Sequence, residues 1–208
     1  MDFPHHLPRL EVVRRERYII DKCRGKKVLD LGAVGFYRGW FSGLHRSIMD
    51  VTDSVVGIDI DKTGIERAAL QGIRNIHYGD LQKLGDVDIS DTFDVIIAGG
   101  VIEHLPNPGL FLMGVKRFFQ PNTEMILETP NVFSLHRFYL ALRRIEYVHP
   151  EHVCYYSYST LKHMLEIHGY TVKEELAHVL GGRVTNLRMF LAERNLNFAN
   201  GFIFVVTT

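Results

Sequence analysis

The residues able to do chemistry stand at the ends of short apolar runs. Val28-Leu29-Asp30-Leu31 leads into Gly32-Ala33-Val34-Gly35, a carboxylate ahead of a turn whose missing Cβ atoms let a ligand approach the backbone. Val55-Val56-Gly57-Ile58 ends in Asp59, 27 residues after Gly32, where an acid can accept hydrogen bonds from both hydroxyls of a ribose. Tyr78-Gly79-Asp80-Leu81 repeats the pattern, and Ala98-Gly99-Gly100 ends a fourth run with no side-chain bulk. These ends describe a nucleotide-type crevice. A dinucleotide suits it poorly: Gly32-Ala33-Val34-Gly35 does not satisfy G-x-G-x-x-G, and Asp30 would repel a pyrophosphate while suiting a cationic ligand.

Two further groups carry titratable side chains. Glu103-His104 follows the fourth run; its imidazole is a candidate proton acceptor near neutral pH, or the pair caps the turn before Leu105-Pro106-Asn107-Pro108. His149-Pro150-Glu151-His152 offers two imidazoles and a carboxylate, but H-x-x-H outside a helix with no defined third ligand falls short of the closed set zinc requires, so no metal is expected. Thr129-Pro130-Asn131 ends a fifth run above the same crevice. Arg137, Arg143 and Arg144 either grip an anionic substrate or form a solvated face. His5, His6, His45, His163 and His168 show no pairing that assigns them a role.

These ends need a scaffold that brings them to one edge. Buried strands are expected at 27–31, 55–60, 76–78, 93–98 and 125–129, with helices at 44–49, 62–71 and 110–119 between them. Strands alternating with helices imply an α/β fold with a parallel, doubly wound sheet. A helix over 8–24 precedes the first strand, with Val12, Val13, Ile19, Ile20 and Cys23 at helical spacing and Gly25 as its stop. After residue 130 the rhythm changes: a helix at 132–144 and an aromatic stretch at 147–158 read as a small lid over 131–158. A helix at 159–168, closed by Gly169, and strands at 170–180 and 201–207 complete the chain. The whole reads as one domain, 1–208.

VLDLG, VVGIDID, HYGDL, FDVIIAGGVIEHLPNP and FFQPNTEMILETPN, in that order over about residues 12–170, resemble the class I S-adenosylmethionine-dependent methyltransferases, closest to the small-molecule branch with the ubiquinone-pathway O-methyltransferases. The resemblance implies a Rossmann-like, seven-stranded mixed sheet of order 3-2-1-4-5-7-6 with its last strand antiparallel. It implies S-adenosylmethionine as cofactor and a small-molecule acceptor methylated on oxygen. Asp30, Gly32 and Gly35 would hold the methionine portion, and Asp59 with Ile60 the ribose. Asp80 would bind the adenine amino group, Leu81 would pack on the ring, and Ala98, Gly99 and Gly100 would line the crevice beside the sulfonium. His104 and His152 are the catalytic candidates, and Asn131 a possible acceptor contact. The family reads D-x-G-x-G-x-G, whereas Val34 and Phe36 replace the second and third glycines here. A β-branched residue resists positive φ, so the turn forms if Gly35 takes over the permissive conformation. Otherwise the chain is a non-catalytic binding module on the same fold.

Composition fits this reading. The 208 residues are 46% hydrophobic and 23% charged, near globular averages, and 24 basic side chains balance 24 acidic ones. With no basic surplus, nucleic acid is not an expected partner. No apolar run approaches the roughly 20 residues that span a bilayer, so no membrane is expected, and the N-terminus lacks the pattern of a secretory signal. Two separated cysteines, Cys23 and Cys154, form no C-x-x-C pair and fit a cytoplasmic protein. Composition leaves the oligomeric state open.

Overall fold

The computed structural model describes residues 6–41, 43–179 and 185–208. The chain opens with β1 (Glu11–Arg14) and passes directly into α1 (Arg15–Cys23). A continuous helix over 8–24 is therefore not formed. Adjacent β-branched Val12 and Val13 suit a pleated strand better than a helix, and they pair in parallel with Ala177 and His178, covering a sheet edge that would otherwise be open. Helix α1 buries Ile19 and Cys23, one turn apart, against the sheet. Burial pushes the Cys23 thiol up to about 12, helped by the charge of Asp30.

Next come β2 (Lys27–Leu31), a short hairpin of β3 (Phe36–Tyr37) and β4 (Trp40–Phe41), α2 (Leu44–Met49), β5 (Ser54–Asp59), α3 (Lys62–Leu70) and β6 (Ile76–Tyr78). They are followed by β7 (Phe93–Gly99), α4 (Pro108–Gly114), β8 (Phe119–Pro130), α5 (Leu135–Leu142), α6 (Tyr158–Ile167), β9 (Thr171–Val179), α7 (Thr185–Ala192) and β10 (Gly201–Thr207). Leu180, expected at the end of β9, and His5 lie outside the described residues.

Eight strands form one Rossmann-like sheet in the order β6-β5-β2-β7-β8-β10-β9-β1. The seven expected strands keep the expected order, and β1 is an eighth beyond it. Strand β10 runs antiparallel to both β8 and β9, while β2 is parallel to both neighbours. Alternation within strands divides the core. Leu29, Ile96, Leu127 and Phe204 join the larger cluster, which holds Phe111 and Phe118, whereas Val28, Ile97, Ile126 and Val205 pack with Ile19, Cys23 and Ile48. Both faces are thus covered, as a parallel sheet requires.

The lid departs from its expected outline. Its helix is confined to α5, which has no buried residue, and from 143 to 157 the chain has no helix or strand beyond a bridge between Asn131 and Tyr156.

Candidate active site

Parallel β2, β5, β6 and β7 deliver their C-terminal ends to one edge of the sheet, the position where open α/β sheets bind ligands. At the end of β2, Gly32 takes φ +75°, and a Cβ there would lie 2.8 Å from Val101 Cγ2. Its amide and that of Ala33 both donate to the Ile58 carbonyl, at 2.9 and 3.3 Å. Neither Val34 nor Gly35 has a positive φ. Gly35 therefore does not take over the permissive conformation; Gly32 supplies it, and Val34 is unstrained. The Val34 side chain instead packs towards α3, where a Cβ on Gly64 would come within 2.5 Å of Val34 Cγ1.

The Val34 amide donates to Asp59 Oδ2 at 2.8 Å and the Asp61 amide to Oδ1 at 2.9 Å, so the altered turn aims the Asp59 carboxylate. A carboxylate has about four acceptor sites, leaving capacity for two more hydroxyl donors. Asp80 is fixed similarly: Oδ1 accepts from the Gln82 amide at 2.9 Å. Gly32, Val34, Asp59, Ile60, Asp80, Leu81, Gly100 and His104 line one cleft of about 540 Å³, within the usual range of ligand pockets.

The remaining cofactor candidates stand outside that lining. Asp30 is buried beneath the turn, with Oδ2 3.0 Å from Nδ1 of the equally buried His45. Burial pushes its carboxyl up, while the His45 ring opposes the shift. His45 thus has a partner that the sequence did not reveal. Gly35 is half-buried beyond the turn, and Ala98 is fully buried within β7. Gly99 lies over a charged floor, since a Cβ there would sit 2.7 Å from Arg15 Nη2. In that floor Glu128 accepts from Arg15 Nε at 2.8 Å and lies 2.8 Å from His178 Nε2. Burial alone would raise the Glu128 carboxyl, but His178 and Arg15 together hold it below its ordinary value. The sequence reading missed this triad because its members come from α1, β8 and β9.

At the far wall, Glu103 is buried and accepts from Thr129 Oγ1 at 3.1 Å; burial pushes its carboxyl up to about 7. Its carbonyl accepts from the amides of Val153 and Cys154, at 2.9 and 3.1 Å. That clamp draws the 149–152 segment against His104. The ring of His152 stands 4.6 Å from that of His104 and 5.4 Å from that of His149, centre to centre. Desolvation, followed by the neighbouring His104 and His149, lowers the pKa of His152. Asn131 is buried with both ends of its amide engaged, donating to the Leu196 carbonyl and accepting from the Phe133 amide. It braces the lid entrance. Arg137 is half-buried and donates to the Tyr147 carbonyl at 2.8 Å and to Tyr155 Oη at 3.1 Å, while Arg143 and Arg144 are exposed. Beside Arg137 this segment lines an open, largely apolar groove of about 830 Å³ whose walls include Phe133, Phe138, Tyr147 and Arg144.

Residues 9–175 match a family described as a methyltransferase domain. The chain belongs to this family. S-adenosylmethionine is the cofactor of this family's domain, and the cleft fits it: carboxylates, with no lysine or arginine among the lining residues, surround a space offered to a positively charged sulfur. The chain is 28% identical over 80% of its length, and 60% of the relative's, to a "Probable S-adenosylmethionine-dependent methyltransferase" of Mycolicibacterium smegmatis. It is 30% identical to a ubiquinone biosynthesis O-methyltransferase of Azorhizobium caulinodans, covering 60% of this chain and 48% of that one. It is also 26% identical to a tRNA U34 carboxymethyltransferase of Hydrogenovibrio crunogenus, covering 53% and 34%. The chain thus spans 60% or less of the length of these curated relatives. Among solved structures, a SAM-dependent methyltransferase from Archaeoglobus fulgidus shares the fold, with a TM-score of 0.62 at 20% identity over 93% of this chain and 91% of that one.

Proposed function

We propose that the chain, read as one methyltransferase domain, transfers the methyl group of S-adenosylmethionine to an oxygen of a small-molecule acceptor. The observation that carries this reading is the cleft itself, in which Asp59 and Asp80 reach the same space as the bare backbone of Gly32 and Gly100. When bound, the cofactor supplies a methyl carbon already activated by a positive sulfur. The chain's tasks are then to hold and align, and to receive one proton. Asp59, already aimed by the Val34 amide, accepts from the ribose hydroxyls. Asp80 accepts from the adenine amino group and Leu81 covers the ring. Asp30 acts from below, bracing the turn through His45, while Gly35, Ala98 and Gly99 keep the surrounding backbone free of bulk. His104 lines the cleft and His152 adjoins it, so either imidazole can take the acceptor's hydroxyl proton.

The acceptor enters through the lid. Its apolar, aromatic walls favour a hydrophobic ring or chain, and the absence of net positive charge disfavours a nucleic-acid backbone. The ubiquinone-pathway relative accords with a phenolic acceptor. A cytoplasmic location accords with two unpaired cysteines. The non-catalytic alternative rested on a strained Val34, and that strain is absent.

S-adenosylhomocysteine at 100 times its dissociation constant stabilises a folded protein by about 2.7 kcal/mol, so the melting temperature should rise with dose. Hydrogen bonds to a charged group are worth about 1.5–3 kcal/mol, which predicts binding weakened about 10- to 100-fold by Asp59→Ala. Unchanged affinity would place the ribose elsewhere. An acceptor panel of phenols and transfer RNA, scored by methyl incorporation, tests the remainder of the reading.

A further inference from the structure

We propose that His104, His149 and His152 form a binding site for a divalent first-row transition metal, with Zn2+ the best-suited ion, at the edge of the cofactor cleft. One ligand atom from each ring lies within 4.8 Å of the others. Tetrahedral Zn–N bonds of about 2.0–2.1 Å would bring such atoms to about 3.4 Å apart, a closure of at most about 1.4 Å, within reach of side-chain rotation. Three imidazoles with no carboxylate among them are borderline ligands suited to Zn2+, Co2+ or Ni2+ and poor ones for Mg2+ or Ca2+.

The pair His149 and His152 lacked a third ligand in the sequence, and the fold supplies it. The Glu103 carbonyl, clamped to the Val153 and Cys154 amides, fixes the spacing between the two histidine-bearing segments. The rings have little else to hold them. Nδ1 of His152 is buried with no hydrogen-bond partner, and the one bond described on His149 is a long one, from the Glu151 amide to Nδ1 at 3.3 Å. A buried imidazole nitrogen without a partner is costly in a folded protein, and a metal ion bound there would satisfy that of His152.

Three protein ligands leave a fourth position open, the pattern of catalytic rather than structural zinc. His104 and Glu151 both belong to the cleft wall, so the open position borders the space where the acceptor meets the cofactor. On the proposed methyl-transfer reading, which this role rests upon, His104 and His152 would serve as ligands in place of proton acceptors, and an acceptor hydroxyl bound there would lose its proton to solvent. Its oxygen would form the new O–C bond as the C–S bond breaks, the electron pair remaining on sulfur.

The test is direct binding, independent of turnover. Protein stripped with EDTA and dialysed is titrated with Co2+ while its visible absorption is followed, and with Zn2+ in a calorimeter. One equivalent should bind, with the intense bands of low-coordinate Co2+. His149→Ala, at an exposed position, and His152→Ala should each weaken binding at least tenfold while leaving the melting temperature and the response to S-adenosylhomocysteine unchanged. No saturable binding, or binding that both variants retain, would overturn the proposal. Should Co2+ bind as expected while S-adenosylhomocysteine does not, the metal site stands and the methyl-transfer reading falls; the converse removes the site alone.

Discussion

Single atoms decide how the cofactor edge is built. Gly57 lies in β5 directly behind the turn, where a Cβ would come 2.7 Å from Ala33 Cβ and 3.1 Å from His45 Cε1. Overpacking of this kind costs about 1–3 kcal/mol, so Gly57→Ala should lower stability by that amount in denaturant titration, and it should loosen S-adenosylhomocysteine as well because it pushes on the same turn. An unperturbed variant would mean the turn can shift freely. Glu128 gives a prediction in pH. Its folded-state carboxyl is held below the ordinary 4.5, so its contribution is present above that value and is lost as pH falls through the lower, folded one. Glu128→Gln should be less stable than the parent at pH 7 and should lose less of its melting temperature between pH 5 and 3. Parallel curves for the two proteins would show that the Arg15–Glu128–His178 group is not what acid attacks.

At the level of elements, α6 begins with a capping box: Ser157 Oγ accepts from the Thr160 amide at 3.2 Å, and Thr160 Oγ1 from the Ser157 amide at 3.0 Å. Loss of such a cap costs about 0.5–2 kcal/mol. Ser157→Ala should therefore lower the melting temperature by a few degrees, given about 2–4 °C per kcal/mol at this size. The same helix was visible in the sequence to within a residue, as were α2 and four of the parallel strands, whereas β8 starts at Phe119, six residues before the expected 125 and inside the stretch read as the end of a helix. The apolar runs of β2 and β7 are buried on both sides and bounded by glycine or acid, so pattern and environment agree. Strand β1 was hidden because four residues containing Val12-Val13 satisfy either period, and only the open edge of β9, built from residues more than 150 positions later, decides between them. The site divided in the same way. Asp59 and Asp80 could be read because strand ends carry them; the His45–Asp30 pair and the His104–His149–His152 cluster could not, because α2 packing on β2 makes the first and the 149–152 segment folding back on His104 makes the second, contacts between separated segments that no periodicity records.

For the molecule as a whole, the sheet is wrapped on both faces while the lid stands apart. Helix α5 buries no residue, and Phe138 and Leu142 are 58% and 70% exposed. A protease needs an accessible stretch without regular hydrogen bonding, and 143–157 is such a stretch. Brief trypsin treatment should make its first cut between β2 and β9 at Arg143 or Arg144, identified by mass spectrometry of the fragments. A first cut between β2 and β8 would show that the sheet, not the lid, opens most readily. No described helix is long and apolar enough to cross a membrane, so the exposed apolar surface of α5 belongs to a lid helix too short to span one.

The buried thiol under the sheet has a practical corollary. With Cys23 enclosed and its ionisation pushed up to about 12, a maleimide at neutral pH should favour the less buried of the two cysteines, Cys154, whose thiol donates to the Leu105 carbonyl next to the carbonyl clamp of the lid. A dye attached there would sit beside the histidine cluster, and a change in its emission on adding S-adenosylhomocysteine would report on that corner of the cleft without any engineered residue.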